Sequence, residues 1–199
     1  MPEAGEIRFY YDIVCPYSYM ESHVVEQAQD SGRASVTWLP FELRPAPRPL
    51  LDPRGDHLRV DWTRTVYQRA QTLGVEIHLP RYQPRSTLAL AACLWADDQG
   101  RLRPFRRALY EAFFCEGRDI SSDAEIARAA EKAQLDVDGA IAAAYSPSQI
   151  ARLAEVRAEA ERIDVRGVPS VLTSDGGTHW GMGGLQRVFD GEPLVPRPV

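Results

Sequence analysis

The stretch YYDIVCPYSYMESHV, Tyr10 to Val24, puts a lone cysteine where a strand gives way to a helix. Just upstream and into it, Glu6 to Ile13 is rich in β-branched and aromatic residues and predicts a strand. Pro16 suits the first helical position, because its missing N–H would be unpaired there in any residue. Tyr17 to Asp30 continues as a helix, which Ser31-Gly32 ends. Ser35 to Phe41 reads as a second strand, so the chain opens β-α-β, with two parallel strands and a right-handed crossover. Cys15 therefore meets free N–H groups and the positive end of a helix dipole. Such surroundings favour the thiolate and lower a thiol pKa from about 8.5 to roughly 3.5–7.5. The alternative is a small buried hydrophobe, the commonest state of a free cysteine. Ser18 stands where a C-x-x-C motif carries its second cysteine.

Beyond Phe41 the pattern changes. Arg44 to Asp56 holds Pro45, Pro47, Pro49 and Pro53 and reads as a loop. Leu58 to Tyr145 is helical in pattern. Leu88, Ala91, Ala92 and Trp95 recur at the spacing of a buried helix face, as do Phe105, Leu109, Ala112 and Phe113 before Gly117. Ser122 to Glu125 and Ser146 to Gln149 have the form of capping boxes, the second opening a helix to about Ile163. Ser170 to Thr173 is a strand, Asp175 to Gly177 a turn and Thr178 to Trp180 the partner strand. A short helix is expected over Leu185 to Phe189. The domain plan is 5–45 and 146–199 as two parts of one α/β unit, with 46–145 as a helical insertion.

The 199 residues suffice for one large domain, and a composition 44% hydrophobic and 26% charged suits a packed core. A net charge of −5 gives no sign of nucleic acid or anionic membrane as a partner. No apolar run reaches the roughly 20 residues of a membrane span, and no secretory leader pattern is seen, so a cytoplasmic protein is expected. Three cysteines, Cys15, Cys93 and Cys115, do not make a disulfide framework. His23, His57, His78 and His179 show no metal-ligand spacing. Arg106-Arg107 reads as a solvated helix face. Arg44 and Arg85 are candidates to bind the carboxylate of a small thiol.

Gly167-Val-Pro-Ser-Val-Leu172 places Pro169 at the start of a late strand. A cis Val168–Pro169 bond would turn the Val168 backbone outward, where an extended peptide can pair with it. A trans proline at a strand start needs no function. Together with Cys15 this is a rarer combination than either feature alone.

The segments FYYDIVCPYSYM, WLPFELRP, STLALAA, FFCEGRDIS, GVPSVL and WGMGGLQRV resemble the DsbA family, in its FrnE-like branch, over residues 6–190. That branch adjoins the 2-hydroxychromene-2-carboxylate isomerases and kappa-class glutathione transferases. The resemblance implies an α/β thioredoxin-like fold with an inserted all-helical domain. It places Cys15 on the nucleophilic cysteine of redox members and on the catalytic serine of the isomerase-like members. Ser18 falls on the resolving cysteine of the former, and Pro169 on a cis-proline shared by all. The chain departs from the glutathione-binding members in having no Asn and in carrying Met182-Gly183 where they carry Ser-Asp.

The implied activity is thiol–disulfide exchange through Cys15 and Ser18, with Pro16, Tyr17, Val168 and Pro169 facing substrate. Ser18 either hydrogen-bonds the thiolate or is a surface residue without a role. With no second thiol one turn on, exchange stops at a mixed disulfide that another thiol must release. That thiol is glutathione, another low-molecular-weight thiol, or Cys115 if the insertion brings it near; Cys93 is expected in the core. Tyr17 and Tyr19 either line an aromatic pocket or pack. No tightly bound cofactor and no metal is expected, and the partner is a disulfide-containing protein or small thiol, with the chain a monomer or homodimer. The rivals are a glutathione-dependent isomerase or transferase on an aromatic substrate, and a non-catalytic peptide-binding module.

Overall fold

The computed structural model describes residues 5–174 and 176–185. Strand β1 (Gly5–Tyr11), helix α1 (Pro16–Asp30) and strand β2 (Ala34–Pro40) form the opening unit, and β1 pairs parallel with β2 from Gly5↔Ala34 to Tyr11↔Pro40. β1 stops two residues short of its predicted end, because the Asp12 carbonyl turns back to accept the Cys15 N–H at 3.2 Å. After the helical region, β3 (Ser170–Thr173) runs antiparallel to β1, and β4 (Thr178–Trp180) antiparallel to β3. The sheet order is β2-β1-β3-β4.

Alternation along β1 divides the core between the two faces of the sheet. Ile7, Phe9 and Tyr11 join the large cluster that also holds Met20, Phe105 and Ile126. Tyr10 points the other way, into a smaller cluster with Cys15, Phe41, Ala160, Val165 and Val168. The helical region between the strands comprises α2 (Asp56–Asp61), a π-helical turn (Trp62–Val66), α3 (Tyr67–Leu73), α4 (Thr87–Asp98), α5 (Leu102–Phe114), α6 (Asp123–Ala133) and α7 (Val137–Ala144). Helix α8 (Pro147–Arg162) returns the chain to the sheet. This is an α/β thioredoxin-like fold with a helical insert between β2 and the C-terminal strands. Helix α4, buried along most of its length, packs against α5, α7, α8 and β2 and so ties the insert to the sheet.

Three expectations about side chains are corrected. Ser122 and Ser146 do precede α6 and α8, but neither hydroxyl caps its helix. Ser122 Oγ donates to the Asp119 carbonyl at 2.8 Å, Ser146 Oγ bonds Ser148 Oγ at 2.8 Å, and Glu125 turns to Arg118 and Arg128. Arg106 is not a solvated residue. It is fully buried, paired with the buried carboxylate of Glu26 and lying 3.4 Å from the Trp38 ring centroid. Glu26 takes the half-exposed Arg107 as well, so one acid from α1 clamps two adjacent arginines of α5. The helix expected over Leu185 to Phe189 lies beyond the described residues apart from Leu185. The backbone N–H groups of Gly183 and Leu185 donate to the buried Glu21 carboxylate of α1 at 3.0 and 3.2 Å.

Candidate active site

Cys15 is the N-cap of α1, in extended backbone, with Pro16 at the first helical position. Its sulfur accepts the N–H of Ser18 at 3.4 Å, which makes it the cap of the helix. Across the cleft the same sulfur donates to the carbonyl of Val168 at 3.4 Å. The Val168–Pro169 peptide bond is cis, as is Ala46–Pro47. The Pro169 carbonyl accepts the Gly181 N–H at 2.8 Å, which fastens the start of β3 to the end of β4. The structure thus brings Cys15, Pro16, Ser18, Val168 and Pro169 to one place.

The electrostatic expectation for Cys15 is overturned. Burial dominates and pushes the thiol up to about 11, against the lowering effect of Ser18 and its N–H; the nearby Asp12 charge raises it further. Cys15 is only 5% exposed, so the helix terminus does not offset the lost hydration. At neutral pH Cys15 rests as a thiol.

Ser18 is fully buried, not a surface residue. Its hydroxyl accepts the N–H of Asp12 at 3.4 Å. Asp12 was not singled out from the sequence. Its carboxylate is completely buried, accepts the N–H groups of Leu43 at 2.8 Å and Val14 at 3.3 Å, and burial pushes it up to about 6. An acid directly after the aromatic run Phe9 to Tyr11, three residues before the cysteine, is the available signal. Asp12 therefore holds the turn before Cys15 and the exit of β2 together.

A cavity of about 170 Å³, open to solvent, runs from Cys15 and Tyr17 to Leu43, Leu51, Trp62 and Leu79. Tyr17 lines it, with its hydroxyl 2.6 Å from Thr65 Oγ1. Tyr19 does not: it is buried, stacked on Phe114 at 5.4 Å and packed on Tyr110 at 5.1 Å. Cys115 contacts the Tyr19 hydroxyl at 3.6 Å and the Glu76 carbonyl at 3.3 Å, rather than Cys15. Cys93 is fully buried in the core. Arg44 borders the cavity, but Arg85 is spent on the carbonyls of Arg44 and Arg48 and is not free to bind a carboxylate. Among the described residues, no His, Cys, Asp and Glu cluster could hold a metal. Nor is any helix long and apolar enough to cross a membrane.

A thioredoxin-like sheet with a helical insert, and a cysteine capping α1 opposite a cis-proline, define a class that comparison with known proteins makes specific. The family model described as DSBA-like thioredoxin domain matches residues 6–190, and the chain belongs to that family. Uncharacterized protein YwbO of Bacillus subtilis is 29% identical over 177 residues, covering 85% of this chain and 86% of that one. Among solved structures, the probable DsbA oxidoreductase SCO1869 from Streptomyces coelicolor superposes with a TM-score of 0.77 at 20% identity, covering 96% of this chain and 93% of that one. A 2-hydroxychromene-2-carboxylate isomerase superposes with a TM-score of 0.76 at 19% identity, covering 92% of each chain. At these identities the two structures bear on the fold.

Proposed function

We propose that the protein is a DsbA-family thiol–disulfide oxidoreductase that acts through Cys15 alone, by mixed disulfides. The observation that carries this reading is the position of the Cys15 sulfur. It caps α1, lies 3.4 Å from the Val168 carbonyl and borders an open cavity. In the first step the Cys15 thiol loses its proton and attacks one sulfur of a disulfide R–S–S–R′. A Cys15–S–S–R bond forms, the original S–S bond breaks, and R′–S⁻ leaves with the electron pair and takes up a proton. A second thiol R″–SH then attacks the mixed disulfide, releases R–S–S–R″ and restores Cys15.

Ser18 and its N–H stabilise the sulfur as charge develops on it, while Pro16 and Tyr17 on one side and Val168 and Pro169 on the other flank the substrate. The discharging thiol is glutathione or another low-molecular-weight thiol, and no tightly bound cofactor takes part. The partner is a protein or small molecule carrying a disulfide, met by a monomer or homodimer. The free thiols suit the cytoplasm. The test is turnover of a glutathione mixed disulfide by reduced glutathione, followed through glutathione reductase. Cys15→Ser is expected to abolish it and Cys115→Ser to retain it. Undiminished turnover by Cys15→Ser would overturn the reading.

A second reading is favoured by one observation: the Cys15 thiol is buried beside a largely apolar cavity walled by Tyr17 and Trp62, where burial favours the protonated form. There it would donate a hydrogen bond to the sulfur of bound glutathione, which attacks an aromatic substrate in an isomerase or transferase reaction. A serine can also donate, so glutathione-dependent isomerisation of a chromene carboxylate that survives Cys15→Ser would select this reading over the first.

A further inference from the structure

We propose that the cavity beside Cys15, together with a groove that adjoins it, binds an anionic thiol or disulfide with an apolar body. This deepens the exchange reading and rests on it. The cavity wall is built chiefly from Val14, Leu43, Leu51, Trp62, Leu79 and Pro80. At about 170 Å³ it is close to the about 150 Å³ cavity that takes one benzene, so a single ring fits it beside the sulfur.

The second observation is charge. A shallow groove lined by Pro53, Arg54, Arg59, Leu79, Pro80 and Arg81 shares Pro53, Leu79 and Pro80 with the cavity. Most other arginines of the helical region and α8 are engaged: Arg101, Arg103, Arg106, Arg107, Arg118, Arg128, Arg152 and Arg157 all have side-chain or carbonyl partners. The guanidinium groups of Arg54, Arg59 and Arg81 have none among the described residues, and all three are exposed.

Among the described residues, none of the nearby acids is ion-paired with them: Asp61 on the cavity wall has another partner, Asp52 accepts the Arg54 backbone N–H at 2.9 Å, and Asp56 opens α2. Three unpaired cations converging at the mouth of an apolar cavity, on a chain of net charge −5, favour a carboxylate or phosphate on the ligand. A neutral peptide disulfide would leave them unused.

The experiment uses two aromatic disulfides at pH 8 on the full chain carrying Cys115→Ser, so that Cys15 reports. Dithiobis(nitrobenzoate) carries a carboxylate on each ring, and dithiodipyridine is neutral. The second-order rates are measured in this protein and in the variant with Arg54→Ala, Arg59→Ala and Arg81→Ala combined. The anionic probe is expected to slow about ten-fold in the variant and to slow with added salt in the parent. The neutral probe is expected to stay within about two-fold, which also reports an intact site. Equal changes for the two probes, or none for either, would overturn the arginine groove and leave the exchange reading standing. If Cys15 of the folded parent reacts with neither probe but does so once unfolded, the exchange reading falls and this inference with it.

Discussion

The sulfur of Cys15 and the carbonyl oxygen of Val168 lie 3.4 Å apart although 153 residues separate them along the chain. The helical insert is threaded between the two, yet both reach the same end of the sheet. The reason is topological: β1 delivers Cys15 at its C-terminal end, and β3, antiparallel beside it, delivers Pro169 at its start. In this contact the Cys15 thiol donates a hydrogen bond to the Val168 carbonyl.

The pH dependence of Cys15 follows from burial. With the thiol pushed up to about 11, the thiolate fraction grows throughout the range in which an ordinary cysteine has already levelled off. Alkylation of Cys15 by iodoacetamide should rise about ten-fold per pH unit from about pH 7 to 10. A plateau below pH 9 would contradict the dominance of burial.

Ser18→Ala removes a buried hydroxyl that lowers the Cys15 pKa and accepts the Asp12 N–H. The alkylation profile should move to higher pH, and stability should drop by about 1–3 kcal/mol from the orphaned N–H. Urea titration and the alkylation profile together check this. An unchanged profile would show that the hydroxyl does not act on the sulfur.

Asp12 gives a prediction with a definite sign. Its folded pKa, about 6, lies above the ordinary 3.8, so the folded state binds the extra proton between those values. Stability contributed by the protonated acid is fully present below about pH 4 and is lost as pH rises through about 6, a change of about 3 kcal/mol. Asp12→Asn removes this titration. The stability difference between wild type and variant should therefore move against wild type as pH is raised from 4 to 7, measured by urea unfolding at each pH. A difference independent of pH would refute it.

Glu26 pairs with both Arg106 and Arg107, whereas the fully buried Arg106 has Glu26 as its ion-pair partner, so truncating Glu26 strands a charge. Glu26→Ala should cost about 3–5 kcal/mol, whereas Arg103→Ala, whose pair with Asp30 is partly exposed, should cost about 1 kcal/mol or less. Glu26→Gln combined with Arg106→Met should cost less than Glu26→Ala alone. Denaturant midpoints of the four proteins decide it.

Local chemistry made part of this molecule legible in its sequence. The aromatic run before Asp12, the proline after Cys15 and the proline opening β3 each act on their own stretch of backbone, and each is readable there. What was not readable depended on partners far along the chain. Arg106 and Arg107 look alike in sequence, and only the packing of α5 against α1 buries one and exposes the other. Tyr17 and Tyr19 are two residues apart, yet one lines the cavity and the other stacks on Phe114, because α5 covers only one side of α1. The caps at Ser122 and Ser146 fit their sequence pattern, but nearer acceptors took the hydroxyls. The Cys15 environment failed for the same reason: the helix terminus is a local feature, whereas the burial that overrides it comes from Tyr10, Phe41 and Val168.

The central claim, that Cys15 is the exchanging sulfur, is tested most directly by intact mass after incubation with oxidised glutathione. One glutathione adduct located at Cys15, discharged by reduced glutathione and absent from Cys15→Ser, is the predicted result. No adduct on the folded protein, or an adduct confined to Cys115, would contradict it.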